Sequence, residues 1–382
     1  MRAVPPAVSM SAPFVEMHQF INGLADEGLA VVVTSSYLPE VLALSDRILV
    51  AKRGKIVEEI KATGATEQKI MYAAVHQERA RTMNEIAAMR VGIVGVGLMG
   101  HGIAKNVLVR GGFPLAFLDH PGNQPVDDLI GLGAIACKTP GEVANASDVI
   151  ILCVTGSPQV EAILTGEKGV LCRLRKGAVI VDCSTALPDS TLRMAAAVEA
   201  AGGRFLDAPM TRTAKHAEEG KLNLLVGGDE ADLRRVSPVL ASFTEGVEHV
   251  GPVSLGHRLK LLHNYVSIGF MALLGEAAAQ AVDAGVDPAI FIDVLAKGGG
   301  AGVALERMTP AIVTGDVGTV PFFIGNALKD ISYYQTMAGS SGASKTIADG
   351  VAAAITAVVE SGHGQAYISD LARLLRKTKP AA

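Results

Sequence analysis

Val91-Gly92-Ile93-Val94-Gly95-Val96-Gly97-Leu98-Met99-Gly100-His101 is the stretch on which the fold of this chain turns. Val91 to Val94 form an apolar β-type run, Gly95, Gly97 and Gly100 have the spacing GxGxxG, and a helical pattern opens at His101. Each glycine then has a physical task. The first permits a tight turn, the second lets a pyrophosphate come up against the backbone, and the third lets helix pack on strand. Exposed N–H groups and the helix dipole hold the anion. Glycine clusters alone mean little in a chain with 42 of them, so the surroundings decide. The next apolar run, Leu115 to Leu118, ends in Asp119, 19 residues beyond Gly100. A carboxylate there accepts both ribose hydroxyls and repels a 2′-phosphate, which predicts NAD rather than NADP as the cofactor. No arginine stands beside Asp119 in sequence to receive such a phosphate.

Outward from this turn, apolar runs at 90–95, 115–119, 148–154, 178–183 and 204–208 alternate with helical stretches. That is the pattern of a parallel sheet covered on both faces. Leu98 and Met99 within the turn and Val154 at the end of the third run are expected against the cofactor, with Gly95, Gly97, Gly100 and Asp119. After about Gly251 strand signals cease and Ala/Leu-rich helices follow, the first from Gly256 to Ala284. The expected fold is α/β: a doubly wound Rossmann-type parallel sheet over residues 89–253, then an all-α domain over 254–382 for substrate and dimerisation.

Residues 1–88 read as a different protein, and the join is placed in the polar helical run Gln77 to Met89. A helix is expected over Phe14–Glu27, a strand over Leu29–Thr34, a helix over Leu38–Leu44 and a strand over Arg47–Ala51. The order of residues 29–36, 38–41, 45–50 and Gly54-Lys55-Ile56-Val57 resembles the tail of a sugar-type ABC transporter ATPase. The resemblance covers about residues 14–75 and lacks that family's phosphate loop, Walker B acid and signature motif, so this fragment is expected to be non-catalytic. Half a sheet should also fold poorly by itself. The segment Gly339-Ser-Ser-Gly-Ala-Ser344-Lys345-Thr346 imitates a phosphate loop, but Ser344 stands where the second glycine is needed and a helix precedes it.

Composition narrows the partners. The chain has 382 residues, 49% hydrophobic and 19% charged, enough for two or three domains with cores and unlike a disordered chain. With 34 Lys+Arg against 38 Asp+Glu the formal charge is −4, which leaves no basic excess for nucleic acid. Four cysteines, Cys137, Cys153, Cys172 and Cys183, show no CxxC spacing, and no charged-then-apolar leader opens the sequence, so a reducing cytoplasm is expected. No metal site is expected. The apolar stretch Tyr265 to Gly275 is interrupted by Glu276, well short of the ~20 residues a bilayer span needs, and reads as a buried helix.

The helix opening at Gly256 places Lys260, His263, Asn264 and Ser267 at i, i+3, i+4 and i+7, on one face. Leu259, Leu261, Leu262, Val266, Ile268 and Phe270 around them are apolar, so the helix is expected to be buried nearly all round with its polar stripe facing a cavity. A desolvated lysine has a depressed pKa and can exchange a proton near neutral pH. Lys260 is the candidate general acid/base.

From about 89 to 375 the chain resembles the β-hydroxyacid dehydrogenases, the group of 3-hydroxyisobutyrate dehydrogenase and tartronate semialdehyde reductase, related to 6-phosphogluconate dehydrogenase. Four motifs carry the likeness: Gly95 to Gly100, Asp182-Cys183-Ser184-Thr185, Asp207-Ala208-Pro209 with Gly220, and Gly256 with Lys260 and Asn264. The resemblance implies that Lys260 is the catalytic lysine and Asn264 its hydrogen-bonding companion. Ser184 and Thr185 would line the substrate and nicotinamide cleft, and Lys329, in the pair Lys329-Asp330 after Phe323, would reach the cofactor. It also implies a homodimer or homotetramer.

The departures bear on substrate. Most members follow Asp-Ala-Pro with a small-residue Val-Ser-Gly-Gly segment, whereas this chain has Met210-Thr211-Arg212-Thr213, and His263 replaces the first of two Asn residues. The Arg-Thr pair is similar to the sulfolactaldehyde reductase branch. A guanidinium offers a planar fork to a carboxylate, sulfonate or phosphate, each contact contributing about 1.5–3 kcal/mol in a closed cleft. Arg212 is therefore expected on the substrate anion with Ser267. His263 either joins them or, when charged, lowers the lysine pKa. The function expected is NAD-dependent interconversion of a short anionic 3-hydroxy acid and its semialdehyde. The alternatives are a hydroxysulfonate reductase of the same build, an imine reductase, an NAD sensor without turnover, and a transporter-associated ATP-binding protein.

Overall fold

The structure, a computed structural model, describes residues 12–35, 37–52, 55–67, 69–70 and 89–376. The run Gln77 to Ala88, where the sequence places the join, lies outside them. The chain divides into two compact units, Met1–Ala88 and Met89–Ala382.

In the first unit, helices Ala12–Asp26 and Leu38–Leu44 accompany an antiparallel hairpin of β1 (Arg47–Lys52) and β2 (Lys55–Lys61). Ile48, Val50 and Ile70 make a small core. The strand expected at Leu29–Thr34 does not form: those residues pair with no neighbour, and Val32 is 92% exposed. A β-branched run supplies propensity but needs a partner strand for its N–H and C=O groups, and the described residues offer none.

The second unit carries a nine-stranded sheet in the order β11-β10-β8-β7-β6-β3-β4-β5, with β9 paired to β10. Its strands are β3 (Val91–Val94), β4 (Leu115–Leu118), β5 (Ile135–Cys137), β6 (Val149–Leu152), β7 (Val179–Asp182), β8 (Arg204–Asp207), β9 (Met210–Thr211), β10 (Leu222–Gly227) and β11 (Thr244–Gly251). From β5 to β8 every adjacent pair is parallel, and every residue of β3, β6 and β7 is buried, as helices on both faces require. The sheet is mixed and not wholly parallel, because β10 runs antiparallel to β8 and β9. β3 is flanked by β4 and β6, so the strand order reverses there and leaves a crevice at its carboxyl end.

All later elements are helical. Leu255–Asp283 is the central helix, and Ile268, Met271, Leu274, Leu305, Met308, Ile324, Ile331 and Ile355 are buried together in the core that gathers around it. A carboxylate from the sheet holds its first turn: Asp207 at the end of β8 accepts from the N–H of Ser254 at 2.7 Å and of His257 at 2.8 Å. An acid at a helix N-terminus satisfies orphan donors and opposes the dipole. By length and composition alone this helix could cross a membrane; here its buried side packs on protein. It is not buried nearly all round, as its apolar residues suggested. Leu261 and Ile268 are buried, but Leu259, Leu262 and Val266 are exposed, Val266 by 67%. The core takes one stripe of the helix and the cleft takes another, which leaves a third face uncovered. The phosphate-loop imitation lies between helices Ile324–Ser340 and Thr346–Val358, with no strand before it.

Candidate active site

All the predicted site residues except Gly95 and Asp119 line one cleft of about 700 Å³ where the helical part meets the carboxyl edge of the sheet. Gly95 shapes the turn from beneath. It sits at φ +99°, and a Cβ there would come 2.2 Å from the Cys153 carbonyl oxygen. Gly97 is the opposite case, since a Cβ at that position would meet nothing within 4 Å. Bare backbone therefore faces open space beside the N-terminus of helix Gly100–Val109, which is the shape and polarity a pyrophosphate needs. These residues fit a dinucleotide. Leu98, Met99 and Val154 give the cleft an apolar wall beside the turn.

Asp119 follows β4, where the distal ribose would be reached. A cation that sequence reading missed lies beside it: Lys138, just past β5, places Nζ 2.7 Å from Asp119 Oδ2. The pairing of β4 with β5 brings the two residues together across 19 positions.

On the central helix, Lys260, His263, Asn264 and Ser267 face the cleft together. Burial lowers the Lys260 pKa to about 8; Asp330 opposes the shift and Lys329 adds to it. No described residue accepts a hydrogen bond from Lys260 Nζ, which leaves the group free for a ligand. Asn264 is held on both sides. Its Nδ2 donates to Asp330 Oδ2 at 2.6 Å, and its Oδ1 faces His263 Nδ1 at 3.0 Å. The Asp330 carboxylate thus fixes the amide's orientation, and Oδ1 can only accept, so His263 carries its proton on Nδ1. Burial depresses the His263 pKa, partly opposed by the Asn264 contact, while Lys260 and Arg307 push it down further. The lowered pKa favours the neutral ring, which with its proton on Nδ1 leaves Nε2 as an acceptor. Lys329 Nζ donates to the Thr155 carbonyl, pairs with Asp330 Oδ1 at 3.0 Å and lies 5.4 Å from the Tyr333 ring centre.

Behind Ser184 lies a buried polar cluster. Ser184 Oγ accepts from the Val154 N–H at 3.1 Å, and its own N–H donates to Asp182 Oδ1 at 3.0 Å. His257, wholly buried, reaches the Ser184 carbonyl with Nε2 at 3.1 Å and Thr191 Oγ1 with Nδ1 at 2.7 Å. A carbonyl only accepts, so Nε2 holds the proton, and burial keeps the ring neutral by lowering its pKa. Burial likewise pushes Asp182 up to about 6, against the pull of its Ser184 hydrogen bonds.

Arg212 lines the cleft with its guanidinium partly engaged. Its backbone has φ +80°, the left-handed region that favours glycine, and its guanidinium donates to the Lys221 carbonyl at 2.8 Å and pairs with Glu245. Nη1 of the guanidinium is thus engaged by protein, while the residue still lines the cleft.

Comparison with known proteins agrees with this geometry. Residues 90–251 match the family profile described as the NAD binding domain of 6-phosphogluconate dehydrogenase, and residues 254–375 match the NAD-binding domain of NADP-dependent 3-hydroxyisobutyrate dehydrogenase. The chain is 34% identical over 230 residues to 2-(hydroxymethyl)glutarate dehydrogenase of Eubacterium barkeri, covering 60% of this chain and 76% of that one. The chain belongs to the β-hydroxyacid dehydrogenase family. It is also 36% identical over 200 residues to 2-hydroxy-3-oxopropionate reductase of Escherichia coli (strain K12), covering 52% of this chain and 68% of that one. The solved 3-hydroxyisobutyrate dehydrogenase of Salmonella typhimurium superposes with a TM-score of 0.67 at 26% identity, over 75% of this chain and 99% of that one. The chain is thus an NAD-binding oxidoreductase of the class acting on CH–OH groups.

Within this family site, sequence reading missed His257 and Arg307. His257 lies three residues before Lys260, on the same helical stripe, so the period that found Lys260 and Asn264 also reaches it. Arg307 sits in another helix, Val303–Thr314, and no spacing ties it to Lys260.

Proposed function

We propose that this enzyme interconverts a short anionic 3-hydroxy acid and its semialdehyde, with NAD preferred over NADP. The observation that carries this reading is Lys260, its pKa lowered to about 8, without a hydrogen bond to any described residue and sharing a cleft with Asn264, Ser184 and the glycine turn. An amine poised there takes the hydroxyl proton in oxidation and returns it in reduction. When bound, the nicotinamide supplies the hydride acceptor or donor. Asn264, clamped by Asp330 and His263, orients the reacting oxygen, and Ser184, held by Val154 and Asp182, fixes the reacting end. Lys329 and Thr185 stand on the cofactor side. Asp119 supports NAD, and its pairing with Lys138 weakens the repulsion a 2′-phosphate would feel.

The exposed apolar face of the central helix supports association into a homo-oligomer, and the four free cysteines support a reducing, cytoplasmic setting. The test is a screen of small hydroxy acids and hydroxysulfonates for NADH and NADPH formation. Turnover of a 3-hydroxy acid with NAD is expected; dinucleotide binding without turnover of any of them would make the chain a sensor instead.

A further inference from the structure

The cleft holds more positive charge than proton transfer uses. Its charged lining residues are Arg212, Lys260, Arg307, Lys329 and Asp330. Lys329 is engaged with Asp330 and the Thr155 carbonyl, and Arg212 with Glu245 and the Lys221 carbonyl. Lys260 is the group whose proton moves. Arg307 is left over: among the described residues no carboxylate pairs with it and no acceptor takes a hydrogen bond from its guanidinium.

Arg307 is solvent-exposed, but the helix that carries it is anchored. Leu305 and Met308 are buried in the helical core, and Thr319 Oγ1 donates to the Arg307 carbonyl at 3.0 Å, so the backbone that carries it is fixed. Val303, Ala304 and Arg307, at i, i+1 and i+4, turn one face of their helix to the cleft. His263 feels the Arg307 charge. A neutral His263 that spends its only N–H on Asn264 presents a lone pair, which repels an anion. With His263 Nδ1 spent on Asn264 and Arg212 Nη1 on Lys221 and Glu245, the cleft leaves room for a further donor to an anionic substrate.

We propose that Arg307 grips the anionic group of the substrate, with Ser267 as a second donor, and that it sets the preference for acids over neutral alcohols. This rests on the dehydrogenase reading above. An oxyanion of either kind, carboxylate or sulfonate, suits a guanidinium fork with five donors.

The test uses full-length wild-type protein, Arg307→Ala, Arg307→Lys and, as a control for loss of one exposed charge, Lys297→Ala. The probes, with NAD, are 3-hydroxypropionate, 2-hydroxyethanesulfonate and the uncharged propane-1,3-diol. Arg307→Ala should raise KM for the acid that turns over by about 10- to 100-fold, the size of a lost charge-assisted contact. It should leave kcat/KM for the diol within about threefold, and Arg307→Lys should recover part of the loss. Whichever acid shows the larger rise identifies the oxyanion. An unchanged KM for acids, or an equal loss on acid and diol, overturns the proposal. If the wild-type protein turns over no probe, the dehydrogenase reading fails by itself, and calorimetric titration of both acids into the NADH-loaded protein decides the grip. Binding weakened in Arg307→Ala supports it, while equal binding in both proteins, or none in the wild type, overturns it.

Discussion

Lys260 and Arg212 both line the cleft and both come from motif positions, yet they behave oppositely. Lys260 sits on a regular helix whose period aims it into the cavity, and no described residue takes its hydrogen bonds. Arg212 sits in a short segment after β9 with left-handed backbone, and Glu245 and the Lys221 carbonyl hold its guanidinium. Glycine would meet the φ requirement without strain, whereas arginine must be held there by its neighbours. Residue type sets what a side chain can do; its surroundings decide whether it is free to do it.

The sharpest break between the two regions is kinetic. Lys260→Ala should lower kcat ~100-fold or more while NADH binding, followed by fluorescence, stays unchanged. With the Lys260 pKa at about 8, oxidation needs the neutral amine and should gain as pH rises through that value. Reduction needs the ammonium and should lose over the same window; a pH-independent rate in both directions would remove Lys260 from the proton path.

The next effect combines stability with rate. His257→Leu strips partners from the Ser184 carbonyl and Thr191 and removes the ring beside Asp207, at a cost of about 2–4 kcal/mol in urea denaturation. Displacing Ser184 should also lower kcat ~10-fold, with His257→Gln recovering part because its amide can still donate. Equal kcat for wild type and His257→Leu would reduce this cluster to packing.

Arg212 should give smaller numbers. Arg212→Ala is expected to cost ~1 kcal/mol, and Arg212→Gly less than Arg212→Ala because glycine adopts φ +80° without strain. Glycine the worse of the two would mean that the backbone there is not strained. The smallest effect belongs to the ribose end, where Asp119→Ala should relax the preference for NAD. Lys138→Ala should sharpen it by about threefold, as expected for an exposed ion pair; a fall in NAD preference on removing Lys138 would contradict the pairing.

Much of the site was legible in sequence because its signals are local. Four apolar residues, a GxGxxG turn and a helix specify a phosphate cradle within a dozen positions, and Lys260, His263, Asn264 and Ser267 share a face through the 3.6-residue period alone. Strand β11 escaped notice because none of its residues is buried at the sheet's edge, unlike the continuous apolar runs of β6 and β7. In residues 29–34 propensity was misleading for the opposite reason: the valines were present and the described residues offer no partner strand.

By itself, then, the sequence determined the doubly wound sheet, the dinucleotide turn and the lysine stripe, since each is encoded by neighbours a few residues apart. Only the tertiary structure decided that Asp207 caps the central helix, that Lys138 meets Asp119, that Arg212 Nη1 is held by Glu245 and the Lys221 carbonyl and that no described residue pairs with the Arg307 guanidinium. Those outcomes depend on groups 19 to 50 residues apart, or on different elements altogether, being brought within a few ångströms, and no local spacing carries that information.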